Sequence, residues 1–345
     1  MTEQSPLPTA WPKAHESLGV LFNDEIAISA GLGLISHPLR FFSAEGNGAR
    51  AGIGFQLLPG SARDLWMGSY QSLCSSQVGL AGIAHDGATE VLFQRLAWDI
   101  AADKSWHRLY IGPFPDWDDA TQNFADLLRA QGHDCEAQDR IWYDVTGVTD
   151  REDYLSQLSS NARKNIRKQL NRMTKSEDYG YRYYTRDEAL EGLRRFVEID
   201  AHSWKASDGE PVGSTPAVLR FYETMVQKFA EQDNVLITVI SLGGRDLAAT
   251  IGFMHNGIGY TIKSSFSADP AYKSYSLGTM SIFLTVCGLI DTGRLHRITL
   301  LSNKDYAQRL STTETQVTML CLYRRSLRMR GFLALRRLVG SLRGG

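Results

Sequence analysis

The segment Tyr275-Ser276-Leu277-Gly278-Thr279-Met280 stands between a strand-like run ending at Phe266 and a run, Leu277 to Thr292, whose apolar residues recur at helical spacing. A glycine-containing turn that opens a helix leaves backbone N–H groups unpaired at the positive end of the helix dipole, where anions bind. Gly278 has no Cβ to hold a phosphate off the backbone, and the hydroxyls of Ser276 and Thr279 add donors. The same Ser and Gly also suit an ordinary helix cap, so alone the segment argues only for an anion at a helix N-terminus. Lys263 interrupts an otherwise apolar strand and must reach solvent or a charged ligand. No Asp or Glu lies between Leu247 and Phe266, which leaves His255, at a hairpin turn where a solvated histidine is the common case, and Asp269 in the following connection as candidate proton acceptors. Trp204 and Lys205 close a long amphipathic helix, where a Trp commonly fills a core and a Lys complements the dipole.

The elements that must hold these residues are legible from periodicity and turn chemistry. Val235 to Leu242, Leu247 to Met254 and Ile258 to Phe266 read as three strands separated by Gly243-Gly244-Arg245-Asp246 and Asn256-Gly257, an antiparallel meander. A helix over Leu277 to Thr292, a strand at Arg297 to Leu301, a short helix at Lys304 to Leu310 and a strand at Val317 to Leu322 follow. Upstream, Ser160 to Met173 is a strongly basic helix capped by Ser159 or Ser160, Tyr181 to Tyr184 an aromatic strand, and Arg186 to Trp204 and Pro216 to Gln232 amphipathic helices. The first half also alternates: strands at Leu39 to Phe42, Ala51 to Leu58, Arg108 to Ile111 and Ile141 to Val145, with helices at Val91 to Ala102 and Thr121 to Gln131. This gives a loosely ordered lead-in at 1–20, a domain at 21–146, a second at 147–323 and a basic helix or tail at 324–345.

The bulk numbers agree with two globular domains: 345 residues, 43% hydrophobic, 22% charged, net charge -1. Apolar stretches fall short of the roughly 18 residues of a membrane span, and Met1 to Ala10 lacks a signal pattern, which places the chain in the cytoplasm. Cys74, Cys135, Cys287 and Cys321 form no CxxC pair and read as buried small apolar residues, with no metal site expected. The small net charge hides two basic clusters. One is Arg163, Lys164, Arg167, Lys168, Arg172 and Lys175; the other follows Glu314, the last acidic residue, as Arg324, Arg325, Arg328, Arg330, Arg336, Arg337 and Arg343. Both are ordinary solvated faces when taken singly; together they point to an anionic partner.

The order of elements, the segment before the central helix, the basic helix Ser160-Asn161-Ala162-Arg163-Lys164-Asn165-Ile166-Arg167-Lys168, the segment His202-Ser203-Trp204-Lys205 and the pair Asp305-Tyr306 resemble the GNAT acyltransferases of the cellulose-biosynthesis acetyltransferase-like group, relatives of the Fem peptidyltransferases. The resemblance covers about Ile141 to Tyr323, and the first half more loosely as the first of a tandem pair. It implies an α/β (α+β) fold of two GNAT-like domains, each a mixed, mostly antiparallel sheet flanked by helices. It departs from the group at Leu277, where a proline is usual, and at Ala307, where a lysine is usual, leaving Arg309 as the nearest cation.

What the resemblance implies is an N-acyltransferase. Acyl-CoA or the phosphopantetheine of an acyl carrier binds as co-substrate at Ser276, Leu277, Gly278, Thr279 and Met280, without a metal, and a small-molecule or peptide amine attacks the thioester directly. Backbone N–H groups of Tyr260 to Phe266 stabilise the oxyanion. Tyr306 is the candidate acid, His255 the candidate base, and Trp204, Lys205 and Lys263 line the acceptor or acyl pocket. The basic helix 160–175 and the tail 324–343 suit an acidic carrier protein or tRNA, so a Fem-like transferase using aminoacyl-tRNA is one alternative. A GNAT-like binding module without catalysis is another, kept open by the missing carboxylate base and by Ala307.

Overall fold

The computed structural model describes residues 7–8, 11–12, 20–60, 67–73, 80–203 and 211–343. In chain order they form α1 (Glu25–Gly31), β1 (Leu39–Gly46), β2 (Ala49–Leu58), β3 (Ser69–Ser72), β4 (Ala84–His85), α2 (Glu90–Ala102), β5 (Arg108–Pro115), α3 (Asp119–Ala130), β6 (Asp134–Thr146), α4 (Arg151–Gln157), α5 (Ser160–Met173), β7 (Gly180–Tyr184), α6 (Ala189–Ala201), α7 (Pro216–Ala230), β8 (Val235–Leu242), β9 (Arg245–His255), β10 (Ile258–Phe266), α8 (Leu277–Asp291), β11 (Arg297–Thr299), α9 (Asp305–Leu310), β12 (Thr313–Tyr323) and α10 (Leu327–Arg343).

The chain divides into one unit of Met1–Arg140 with Gln316–Gly345 and a second of Ile141–Thr315. In the first, β1, β2 and β3 are an antiparallel meander, β5 lies parallel to β3, and β12 pairs antiparallel with β5. In the second, β7, β8, β9 and β10 are antiparallel, β11 lies parallel to β10, and β6 pairs antiparallel with β11. Each is thus a mixed, mostly antiparallel sheet with helices, as the sequence implied. The strand that follows the parallel pair comes in each case from the other half of the sequence. For that reason residues 316–323, read from the sequence as the end of the second domain, lie in the first unit.

In the second unit the register is set by turns. Gly243 and Gly244 (φ 58° and 70°) and Asn256 and Gly257 (φ 50° and 72°) occupy the left-handed region at both central positions, the turn whose twist matches that of two-residue hairpins. β8 and β9 are buried almost throughout, because α8 covers one face and α6 packs on the sheet as well. α8 is correspondingly apolar on nearly all sides, from Leu277 through Ile290. Its two sheet-facing polar residues are satisfied: Thr250 donates to Ser281 (2.9 Å) and Thr285 donates to Thr238 (2.7 Å). The first unit has its own core around Phe55, Trp106, Phe114 and Phe124.

Several elements differ from their sequence reading. The helix expected over Arg186 to Trp204 starts at Ala189 and ends at Ala201, since Arg186 has φ 48° and opens a 3-10 turn; Trp204 and Lys205 lie outside the described residues. β6 starts at Asp134, seven exposed positions before the apolar run that marks it in sequence. β3 and β4 are too short for alternation to show, and α1 is a single capped helix of low periodicity, with Asp24 accepting from the Ile26 N–H (2.8 Å). In the lead-in, Trp11 is buried against Phe41 and Gly52. Cys287 and Cys321 are buried as expected, Cys135 is exposed, and Cys74 lies outside the described residues.

Candidate functional site

The site is built where β10 leaves β11. The two strands pair only from Ile258↔Arg297 to Tyr260↔Thr299. Beyond that, the Leu300 N–H turns to the carbonyl of Tyr143 (3.1 Å), so the chain after β11 follows β6 instead of β10. At the same level a β-bulge falls between Thr261 and Lys263, which bends β10 away. The Thr261 hydroxyl donates to the Thr299 carbonyl (3.3 Å) and closes the crotch of the fork. The side of β10 from Ile262 to Phe266 that faces the gap therefore lies beyond the ladder with β11.

β10 runs on through Asp269, whose carboxylate caps a 3-10 turn at Pro270–Tyr275 by accepting from the Ala271 N–H (2.9 Å). Ser276 then takes a left-handed conformation (φ 52°, ψ 42°) and α8 begins. No side-chain hydrogen bond caps that helix, so the ordinary cap reading of Ser276 does not apply, and the N–H groups of Leu277, Gly278 and Thr279 precede the first intrahelical donor, the Met280 N–H, which bonds the Ser276 carbonyl (3.0 Å). Leu277 and Met280 turn into the core, while Ser276, Gly278 and Thr279 are partly exposed. Gly278 has a different steric reason from the expected one: a Cβ there would lie 2.6 Å from Cδ1 of Phe266, so the missing side chain admits the Phe266 ring.

α5 adjoins this segment. Arg172 donates to the Ser274 carbonyl (2.6 Å) and the Ser176 hydroxyl meets the Tyr275 hydroxyl (3.0 Å). The outer face of α5 presents Arg163, Lys164, Arg167, Lys168, Arg172 and Lys175 along one open surface. The helix keeps this face solvated because its other side buries Ala162, Ile166 and Met173, and Ser159 accepts from the Ala162 N–H at its start.

The sequence-derived residues are distributed unevenly about the fork. Lys263 sits at the bulge, half-buried, with its β9 partner Ile251. Tyr306 is in the first turn of α9, half-buried against the core of the unit. Ala307 is fully buried, so the position that carries a lysine in the resembling group is here part of the core, and Arg309 is exposed. His255 is not at the fork. It pairs with Ile258 at the opposite end of β10, roughly 26 Å along the strand from Phe266 at about 3.3 Å per residue. It is also not a solvated turn residue: it is buried, its Nε2 meets the Asn256 amide (2.9 Å) and its ring lies edge-on to Phe229.

One histidine that sequence reasoning left without a role lies closer. His202 ends α6, and the adjacent Ser203 forms a bridge with Ser267, the residue after β10. His202 Nδ1 lies 2.9 Å from the Glu198 carbonyl, which can only accept, so Nδ1 donates that bond and Nε2 is turned away from it. It lines an open groove with Arg195, Glu198, Asp246 and Ser267. The buried thiol of Cys287, pushed up to about 12 by desolvation, stays protonated at neutral pH and is no nucleophile. Among the described residues no group of three His, Cys, Asp or Glu could hold a metal ion.

Residues 160–308, which contain the fork, match the family model described as Acetyltransferase (GNAT) domain. A conserved protein of unknown function from Bacteroides thetaiotaomicron VPI-5482 is similar in structure at 13% identity, with 86% of this chain and 89% of that chain covered and a TM-score of 0.55. Over residues 160–308 the chain is similar to GNAT domains. FemX is similar at 12% identity, covering 89% of this chain and 94% of its own, TM-score 0.55. The C-terminal domain of a putative lysylphosphatidylglycerol synthetase from Agrobacterium fabrum is similar at 10% identity, covering 83% and 84%, TM-score 0.53. No match was found among curated proteins. The fork, the uncapped helix and the basic α5 all fall within that matched region.

Proposed function

We propose that this chain is an N-acyltransferase of the cellulose-biosynthesis acetyltransferase-like group, moving an acyl group from acyl-CoA or a phosphopantetheine carrier to an amine. The observation that carries the reading is the parting of β10 from β11 immediately before a helix whose N-terminus is uncapped. The donor's pyrophosphate rests on the segment Ser276 to Met280, on the N–H groups of Leu277, Gly278 and Thr279, and its thioester extends into the gap. Backbone N–H groups of β10 beyond the bulge stabilise the oxyanion. The amine attacks the carbonyl carbon, the C–S bond breaks, the amine proton passes to a base and the thiolate is protonated. Tyr306 is the proposed acid. His202 replaces His255 as proposed base, because it lies beside the end of β10 and its ring is oriented by the bond from Nδ1 to the Glu198 carbonyl. Lys263, with Trp204 and Lys205, is assigned to the acceptor or acyl pocket.

A second reading, transfer from aminoacyl-tRNA, is favoured by the basic face of α5 and its attachment to the donor segment through Arg172. Thermal-shift titration with CoA, acyl-CoA and an aminoacyl-tRNA separates the two, since a ligand that binds the native state raises its melting temperature. Binding of CoA species weakened about tenfold or more by Thr279→Asp, through charge at the anion site, supports the first. Failure of every CoA species to bind, with salt-sensitive tRNA binding intact, refutes it in favour of the second.

A further inference from the structure

The last helix has two apolar sides. One faces its own unit: Met329 is buried, and Phe332 and Leu333 pack against the cluster of Met67, Cys321 and Tyr323, with the Arg108 guanidinium 5.8 Å above the Phe332 ring. The other faces solvent. Leu327 is 86% exposed and Leu335 54% exposed, and Gly331 and Ala334 are exposed between them. At 100° per residue these four positions fall within an arc of about 100°, with Arg328 and Arg330 bordering it on either side. In the sequence, Leu338 and Leu342 continue the same spacing. A monomeric soluble protein has no use for an outward leucine stripe edged by arginine.

We propose that α10 lies in the surface of a bilayer that carries anionic headgroups, with the Leu327–Leu335 stripe among the acyl chains and the flanking arginines on the phosphates. Charge selects this occupant. After Glu314 the chain has seven arginines and no acid, so a second copy placed on the same face meets like charge. Nucleic acid would be served by the arginines but gives the leucines nothing to bury against. A bilayer surface uses both, as interfacial helices do. A second apolar feature belongs to the same unit: Val91 (69% exposed) and Trp98 (67% exposed) stand seven residues apart on one face of α2. The end of α2 is tied to the start of α10 by Arg324, which stacks 4.1 Å from the Trp106 ring and donates to the carbonyls of Ala101 and Trp106. An exposed tryptophan is the side chain most at home at a membrane–water boundary.

The inference does not depend on the transferase reading. The full chain is sedimented with vesicles of phosphatidylcholine alone and with vesicles in which about a third is phosphatidylglycerol, at low and high salt. The expected result is pelleting with the anionic vesicles only, weakened by salt, and reduced about tenfold by Leu327→Glu with Leu335→Glu at unchanged melting temperature. Leu327→Glu alone, at a position without packing contacts to lose, is expected to act in the same direction. Absence of pelleting with anionic vesicles, or pelleting that both variants leave intact, overturns the proposal. So does concentration-dependent dimerisation without vesicle binding that the same variants abolish, or retention by RNA in place of vesicles.

Discussion

Gly278 and Phe266 occupy one space, and that contact joins the end of β10 to the start of α8. Gly278→Ala puts a Cβ 2.6 Å from the ring, so either the ring or the helix start must shift. The expected cost is about 1–3 kcal/mol in urea unfolding, with weakened CoA binding, and Phe266→Leu in the same chain restores the stability. An unchanged unfolding midpoint would show that the contact is slack. From sequence Gly278 was assigned to the anion site for its lack of a side chain; its steric neighbour, twelve positions back in the chain, could not be seen. Asp118 shows a different kind of invisibility. It caps α3, accepting from the Thr121 N–H (3.1 Å) and hydroxyl (2.7 Å), yet burial outweighs these bonds and raises its carboxyl to about 6. A raised acid favours the protonated folded form, so this group's contribution is fully present below the usual carboxylate range and is lost as pH climbs through about 6. Asp118→Asn is expected to flatten the wild-type fall in stability between about pH 4 and pH 6, measured as the difference in urea midpoints across that window.

Elements with their own period were the legible part. The meander β8–β10 and the helices α2, α3, α5 and α8 follow from alternation, from Asn-Gly and Gly-Gly turns and from 3.6-residue spacing, and their bounds agree within a few residues. What the sequence hid was pairing. β6 was read as a strand at Ile141 to Val145, but its neighbour β11 lies some 150 residues onward, and what fastens them is a buried cluster: Asp144 accepts from Arg297 (2.6 Å) and from the Thr315 hydroxyl (2.6 Å). Asp144 is fully buried, so Asp144→Ala would strand the Arg297 charge and cost about 3 kcal/mol, while Thr315→Val, which removes the hydroxyl's bond to Asp144 and the one it accepts from Arg297 (3.2 Å) but leaves the ion pair, should cost about 1 kcal/mol. Equal losses from the two, read by chemical denaturation, would mean that the ion pair adds nothing. The fork was likewise half legible: the strand and the helix-opening segment stand in the sequence, whereas the divergence from β11 depends on a three-residue ladder and a bulge that no spacing announces.

At the scale of the molecule, composition and alternation indicated two α/β units, and the chain divides into two compact units. Their bounds were not legible, because a sequence is read as consecutive blocks and β12 is returned to the first unit after the second is finished. A chain ending at Thr315 is therefore expected to lose the first unit's cooperative unfolding transition while keeping the Asp144–Arg297 contact; two transitions as in the full chain, by calorimetry, would count against this.

That returned strand also orders events on the ribosome. β5 leaves the exit tunnel well before β12, and its edge stays open until the whole of the second unit has followed it. Throughout that interval its unpaired N–H and C=O groups are a template for any extended segment nearby. A stop codon falling between the second unit and β12 would thus release a chain whose second unit is folded and whose β5 is an adhesive strand, a worse product for the cell than a stop inside the first unit.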